Sequence, residues 1–227
     1  MHRHIYFSTQ QYNAFAVEHN ESAPLSETTT MRDSDVITKK LHQSPARIFL
    51  LHGHSSVFQM SLFFGTQLQK SIAVIDGSMR FNSYSVLKIA TLLHLPAKDV
   101  LRRTHITRSF TAFQTEAAVT TKLVRFLQST PCKLVIVLGL LDTYYDEQVK
   151  PNECQQSLQR VMHTFRELTK QNISVLLADV NVSNPPKGKE LLFELVKKHC
   201  DTVYQLHISN NQFQLTEQWD VTMIPSR

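Results

Sequence analysis

The chain has 227 residues, 42% hydrophobic and 19% charged, with five glycines and eight prolines. That composition buries one sizeable core and excludes collagen-like and low-complexity classes, and no apolar run is long enough for a membrane-spanning helix. The formal net charge of +5 is concentrated, because residues 80–133 hold nine Lys and Arg against two Asp and Glu.

Residues 1–45 read as a partly disordered N-terminal segment. Asn20 to Thr30 is polar and without period. Ile5, Tyr6, Phe7, Tyr12 and Phe15 form a small aromatic cluster that either docks on the core or on a partner, or stays loose. Nothing at the start resembles the apolar region of a secretory signal. A single core domain is expected over 46–227.

From Ala46 the chain alternates. Arg47 to His52 is a short apolar run ending at Gly53, and Ser71 to Asp76 is a second, ending at Gly77. Leu134 to Leu138, ending at Gly139, and Ser174 to Asp179 are the third and fourth. Continuous β-branched runs of this length suit strands buried on both faces, as in parallel sheets. Helices are expected between them. Val86, Leu87, Ala90 and Leu93 follow Asn82-Ser83, which supply a cap. Phe113, Ala117, Val124 and Leu127 outline a second stripe, and Leu158, Val161, Met162, Phe165 and Leu168 a third. Leu191, Leu192, Leu195 and Val196 outline the last. Val203–Ile208 and Gln212–Thr216 alternate with period two around Ser209-Asn210-Asn211, a hairpin signature. The fold class is therefore α/β, with a mainly parallel sheet, flanking helices and a closing antiparallel hairpin.

From about Arg47 to Asp220 the chain resembles the RecA-type core of archaeal and eukaryotic strand-exchange recombinases and their paralogues. Ile75-Asp76-Gly77-Ser78-Met79-Arg80-Phe81 resembles the family's strand followed by "DTEGTF". Leu87 to Ala90, Leu95 and Asp99 to Leu101 fit the next helix–turn. Ile106 to Thr111 fits its "ARAF" stretch, and Gln114 fits the glutamine after it. The resemblance implies a RecA-like P-loop fold with a nucleotide site at the strand ends.

The departures fall on that site. A P-loop, G-x-x-x-x-G-K-[ST], cradles phosphates with backbone N–H groups, adds a lysine, and holds magnesium through a hydroxyl. Aligned on Gly53, the second glycine is Phe58, the lysine is Gln59 and the hydroxyl residue is Met60. The family's catalytic Glu aligns with Ser78, its metal-positioning Asp with Leu138, and its glutamine sensor falls near Asp179-Val180. A shifted alignment would offer Asp142 as the acid without restoring the lysine. The expectation is a degenerate ATPase site: no catalytic residues, no cofactor, no metal.

The resemblance implies two DNA-facing loops. Leu140 to Gln148 carries three acids and no base, while 181–189 carries Lys187 and Lys189. The candidate nucleic-acid contacts are Lys98, Arg102, Arg103, Arg108, Lys187 and Lys189, because basic clusters neutralise phosphate. The family's Phe-x-x-Ala polymerisation segment is absent from residues 1–45, where Phe7 is followed by Gln10 and Phe15 by Glu18. His52-Gly53-His54 lacks a third metal ligand nearby, and Gly53-His54-Ser55-Ser56-Val57 lacks the final glycine of a nucleophile elbow. Cys132, Cys154 and Cys200 are widely spaced and odd in number, which fits a reducing, intracellular compartment. The expected function is a catalytically inactive recombinase paralogue, an accessory or scaffold in DNA repair or recombination. Its expected partner is an ATP-competent recombinase or another RecA-like paralogue, with weak DNA binding and no membrane. The alternatives are a non-specific nucleic-acid-binding module using the basic block, or an enzyme with altered nucleotide chemistry.

Overall fold

The structure, a computed structural model, describes residues 3–6, 37–41, 45–77, 79–180, 183–209 and 212–218. Most of the N-terminal segment read as partly disordered lies outside them. The elements in chain order are β1 (Arg3–Tyr6), β2 (Ile48–Gly53), α1 (Val57–Gln67), β3 (Ile72–Gly77), α2 (Ser83–Leu92), α3 (Ala97–Arg102) and β4 (Thr104–Ser109). Next comes α4, which runs through Ala112–Ala117, a π-helical Ala118–Leu123 and Val124–Ser129. Then follow β5 (Leu134–Leu138), α5 (Pro151–Lys170), β6 (Ser174–Asp179), α6 (Leu192–Lys198), β7 (Thr202–Ser209) and β8 (Gln212–Gln218).

Among the described residues the strands form one eight-stranded sheet, ordered β1-β8-β7-β2-β6-β5-β3-β4. The six strands from β7 to β4 run parallel, and the β7–β8 hairpin and β1 close one side antiparallel. The four apolar runs are the four central strands. Their side chains alternate between two cores, since a strand's successive residues face opposite ways. Phe49, Leu51, Val74, Ile136 and Leu176 pack under α1, α2 and a helical turn at 37–41. Leu50, Ile75, Val137 and Leu177 pack under α4, α5 and α6. Asn82 caps α2 by accepting a hydrogen bond from the Tyr84 amide. The α5 stripe from Leu158 to Leu168 is buried throughout. No helix among the described residues is long and apolar enough to cross a membrane.

Two expectations need correction, and one strand went unread. The α4 stripe is displaced: Phe113 and Ala117 face solvent, and Ala112, Thr115, Ala118, Val119 and Leu123 are buried. Phe113 and Ala117 precede the π-helical turn, so the buried face is already set by Ala112 and Thr115, and the wider winding shifts only the residues that follow, Val124 and Leu127 being half-buried. Leu191 precedes α6 and is exposed. A third difference is an unread strand: Thr104–Ser109 forms the parallel strand β4, paired with β3 from Ile72↔Thr104 to Gly77↔Ser109.

Candidate functional site

From β2 the chain turns to α1 on one face, and from its neighbour β6 it turns to α6 on the other. Adjacent connections that diverge open a crevice beyond the carboxyl ends of the strands, the usual ligand position in open α/β sheets. The carboxyl ends of β2, β6, β5 and β3 lie side by side there.

The loop from Gly53 to Ser56 closes on itself. The amide of His54 donates to Leu206 O (3.1 Å), Val57 to His54 O (3.0 Å), Phe58 to Ser55 O (3.4 Å) and Met60 to Ser56 O (2.9 Å). The Ser56 amide donates to His54 Nδ1 at 3.2 Å, and that ring nitrogen also meets Ser56 Oγ at 3.0 Å. Phosphate-binding nests work by leaving successive N–H groups free and convergent. Here these donors are satisfied within the protein. Gly53 (φ +116°) is required for another reason: a Cβ there would strike the Leu206 carbonyl of β7.

The side chains at the positions aligned with the P-loop and strand-end motifs are core or plug. Phe58 and Met60 are buried in the α1 core, as is Leu138. Ser78 lies outside the described residues. Arg80, just past β3, lies over the Phe58 ring at 5.1 Å from the Cζ atom to the centroid. Its Nε and Nη2 both donate to Asp142 Oδ2, at 2.8 and 2.7 Å. Asp142, the acid of the shifted alignment, is therefore committed to an arginine. Gly139 (φ +64°) lets the chain pass beneath this pair, since a Cβ would sit 2.9 Å from Asp142 Oδ2. Behind it, fully buried Asp76 accepts from the Arg80 amide (2.6 Å), the Phe81 amide (2.9 Å) and Arg108 Nε (3.2 Å).

Asp179 ends β6 beside His52 of β2. Its Oδ2 accepts from the Leu141 amide at 3.0 Å, while Oδ1 has no hydrogen-bond partner among the described residues. Burial pushes its carboxyl up to about 8, outweighing those backbone donors, and the nearby Asp142 charge adds to the rise. Burial also raises the Tyr145 phenol, to about 12.

The segment fitted to the first DNA-facing loop is folded down. Tyr144 is buried with its hydroxyl on Ser157 (3.0 Å), and Cys154 Sγ donates to Tyr144 O at 3.4 Å. Lys189 holds it from the other side. Only 2% exposed, its ammonium donates to the carbonyls of Tyr144 (3.0 Å) and Asp146. Lys189 is thus removed from the candidate phosphate contacts, because its charge is consumed inside the fold.

The other candidates do not form one surface. Lys98, Arg102 and Arg103 precede β4, whereas Arg108 sits at its far end, about 16 Å along an extended strand. Lys187 is exposed near the start of α6, beyond the opposite side of β6. Arg102 pairs with Asp99 (3.4 Å) and Arg108 with Asp76, so part of the block's charge is compensated. Glu116, the block's second acid, is held below the usual carboxylate range by Arg160 of α5, with Nε at 2.6 Å.

The sequence reading missed the outer side of β4. Its outward edge is unpaired among the described residues, and beside it lies a cleft of about 400 Å³ lined by Ala73, Ile75, Thr107, Ala118, Lys122 and Phe126. His105 packs its ring on Phe126 at 4.9 Å, and Ile106 is exposed. Thr104 to Ser109 holds a single aliphatic residue, Ile106, and it is exposed, so the sequence carries no alternation that marks a strand. No protein-family model matches the chain, and no curated protein matches it.

Proposed function

We propose that the chain is a catalytically inactive RecA-like recombinase paralogue, an accessory or scaffold protein in DNA repair or recombination. The observation that carries this reading is the loop after β2, whose His54, Ser56, Val57 and Phe58 amides are satisfied internally at the place where such a fold would hold phosphate. The plug of Phe58, Arg80 and Asp142 supports it further, and the three free, buried cysteines accord with an intracellular setting. An unpaired parallel edge beside an apolar cleft suits an extended segment added as a further strand, with one bulky side chain entering the cleft. That segment belongs to the partner, an ATP-competent recombinase or another RecA-like paralogue.

Two measurements test this. Calorimetry with millimolar ATP and magnesium shows no binding, and a micromolar dissociation constant overturns the inactive assignment. Ile106→Asp with Lys122→Glu abolishes complex formation with a co-expressed recombinase while the melting temperature holds. Retained complex formation overturns the β4 edge as the contact.

A further inference from the structure

We infer that the amino-terminal border of the sheet, at the opposite end from the crevice, is a docking line for an extended acidic segment of a partner protein. Four basic residues stand along it: Arg47 before β2, Lys133 before β5, Lys70 before β3 and Arg103 before β4. The register puts them side by side. Ile72 pairs with both Leu134 and Thr104, so Lys133, Ser71 and Arg103 share one level, with Lys70 one residue below. Leu134 pairs with Ser174 and Ile48 with Val175, which sets Arg47 one residue above that level. The backbone is fixed at three of these points. The carbonyls of Arg47, Lys133 and Arg103 accept from the amides of Val175 (3.0 Å), Ser174 (3.0 Å) and Ile72 (2.9 Å). The strands run in the order β2-β6-β5-β3-β4, about 4.8 Å apart, so the row is about 19 Å long and Arg47, Lys133 and Arg103 recur about every 10 Å along it.

The fold does not answer this charge. Arg47, Lys70 and Lys133 are exposed and Arg103 is half-buried, and none of the four has an ion pair among the described residues. The carboxylates at this end are engaged elsewhere. Asp99 holds Arg102 (3.4 Å), Glu167 holds Lys170 (2.6 Å), and Asp201 holds Arg166 (2.8 Å) and the Ile48 amide (2.7 Å). Neighbouring cations in the row lie within about one screening length of each other at 0.1 M salt, so they act on a ligand as a single field. The shape of the row selects the ligand. An extended peptide rises about 3.3 Å per residue, so carboxylates three residues apart match the interval of about 10 Å. Unpaired nucleic acid also needs ring faces to stack on, and the exposed Tyr84, Phe110 and Phe113 all lie past the carboxyl ends of β3 and β4, at the other end of the sheet. A duplex presents two phosphate rows flanking a groove, whereas these cations stand in single file. The contact holds whether or not a strand adds to β4, since it runs across the strand ends rather than along that edge.

The test is fluorescence anisotropy on the full chain with a labelled peptide of about ten residues, glutamate at every third position and serine or alanine between, in about 50 mM and then about 200 mM salt. The expected result is salt-dependent binding, about tenfold or more tighter than that of the same peptide with glutamine for glutamate, and tighter than that of a dT oligonucleotide of equal charge. Arg47→Glu with Lys133→Glu and Arg103→Glu weakens it about tenfold or more at unchanged melting temperature. Lys150→Glu with Lys187→Glu, exposed at the starts of α5 and α6 near the carboxyl ends, changes it by less than about twofold. Should the reversed triple melt lower, the triple alanine variant is read in its place, with a loss of about fivefold. No binding in the low-salt buffer, equal binding of the glutamine peptide, or full affinity in the triple variant overturns the proposal. So does tighter binding of the dT oligonucleotide, which assigns the line to nucleic acid.

Discussion

Burying a carboxyl at the end of β6 makes the folded protein hold a proton that the unfolded chain releases. Asp179 titrates near 3.8 when unfolded and at about 8 when folded. Between those values the native state binds the extra proton, so stability falls as pH rises through the window and levels off above about 8. Urea unfolding at several pH values across that range detects the slope. Asp179→Asn, which mimics the neutral acid, flattens it, and an unchanged slope assigns the dependence elsewhere. Lys189 gives a second residue-scale expectation. Lys189→Met keeps the stem but leaves the Tyr144 and Asp146 carbonyls without their donor, at a cost of about 1–3 kcal/mol. Calorimetric melting then shows a drop of several degrees, and a stable variant means that water replaces the ammonium.

At the scale of elements, the strands that were legible are those buried on both faces. Their apolar runs are continuous, because every position meets a helix layer. β4 carries the same geometry at the sheet's edge, where half its side chains meet water, so Thr104 to Ser109 reads as a polar stretch. The helix after it was legible as a helix but not as a face, because its first turn exposes the aromatic Phe113 and buries Ala112 and Thr115, against what residue type suggests. The inward turn of Lys189 was equally hidden, since it depends on two carbonyls more than forty residues away in sequence. The Arg80–Asp142 plug was hidden because it joins loops of different strands. Faces can be checked by substitution. Phe113→Ala on the exposed side of α4 shifts stability by no more than about 0.5 kcal/mol, whereas Phe165→Ala in the α5 core costs about 3–5 kcal/mol. Similar costs at the two positions refute the assignment of faces.

For the whole molecule, the internal hydrogen bonds of the loop after β2 mean that side chains alone do not make it a phosphate site. Phe58→Gly with Gln59→Lys and Met60→Ser writes a P-loop consensus into the chain, yet the amides stay bonded to His54, Ser55 and Ser56. That variant loses two core side chains and melts lower, with no upward shift on adding ATP and magnesium. A nucleotide-dependent rise would show that the loop reopens.

The pairing of β1 with β8 has a consequence for synthesis. Arg3–Tyr6 are synthesised roughly 210 residues before their hydrogen-bonding partners, Gln214 to Glu217. At about 5–20 residues per second the first strand waits roughly 10–40 seconds for its mate. Every nascent chain therefore passes through a stage in which β1 is made and β8 is not. Chaperone engagement or premature pairing with a neighbouring polysome chain is concentrated in that interval, and slowing the codons between the two strands lengthens it.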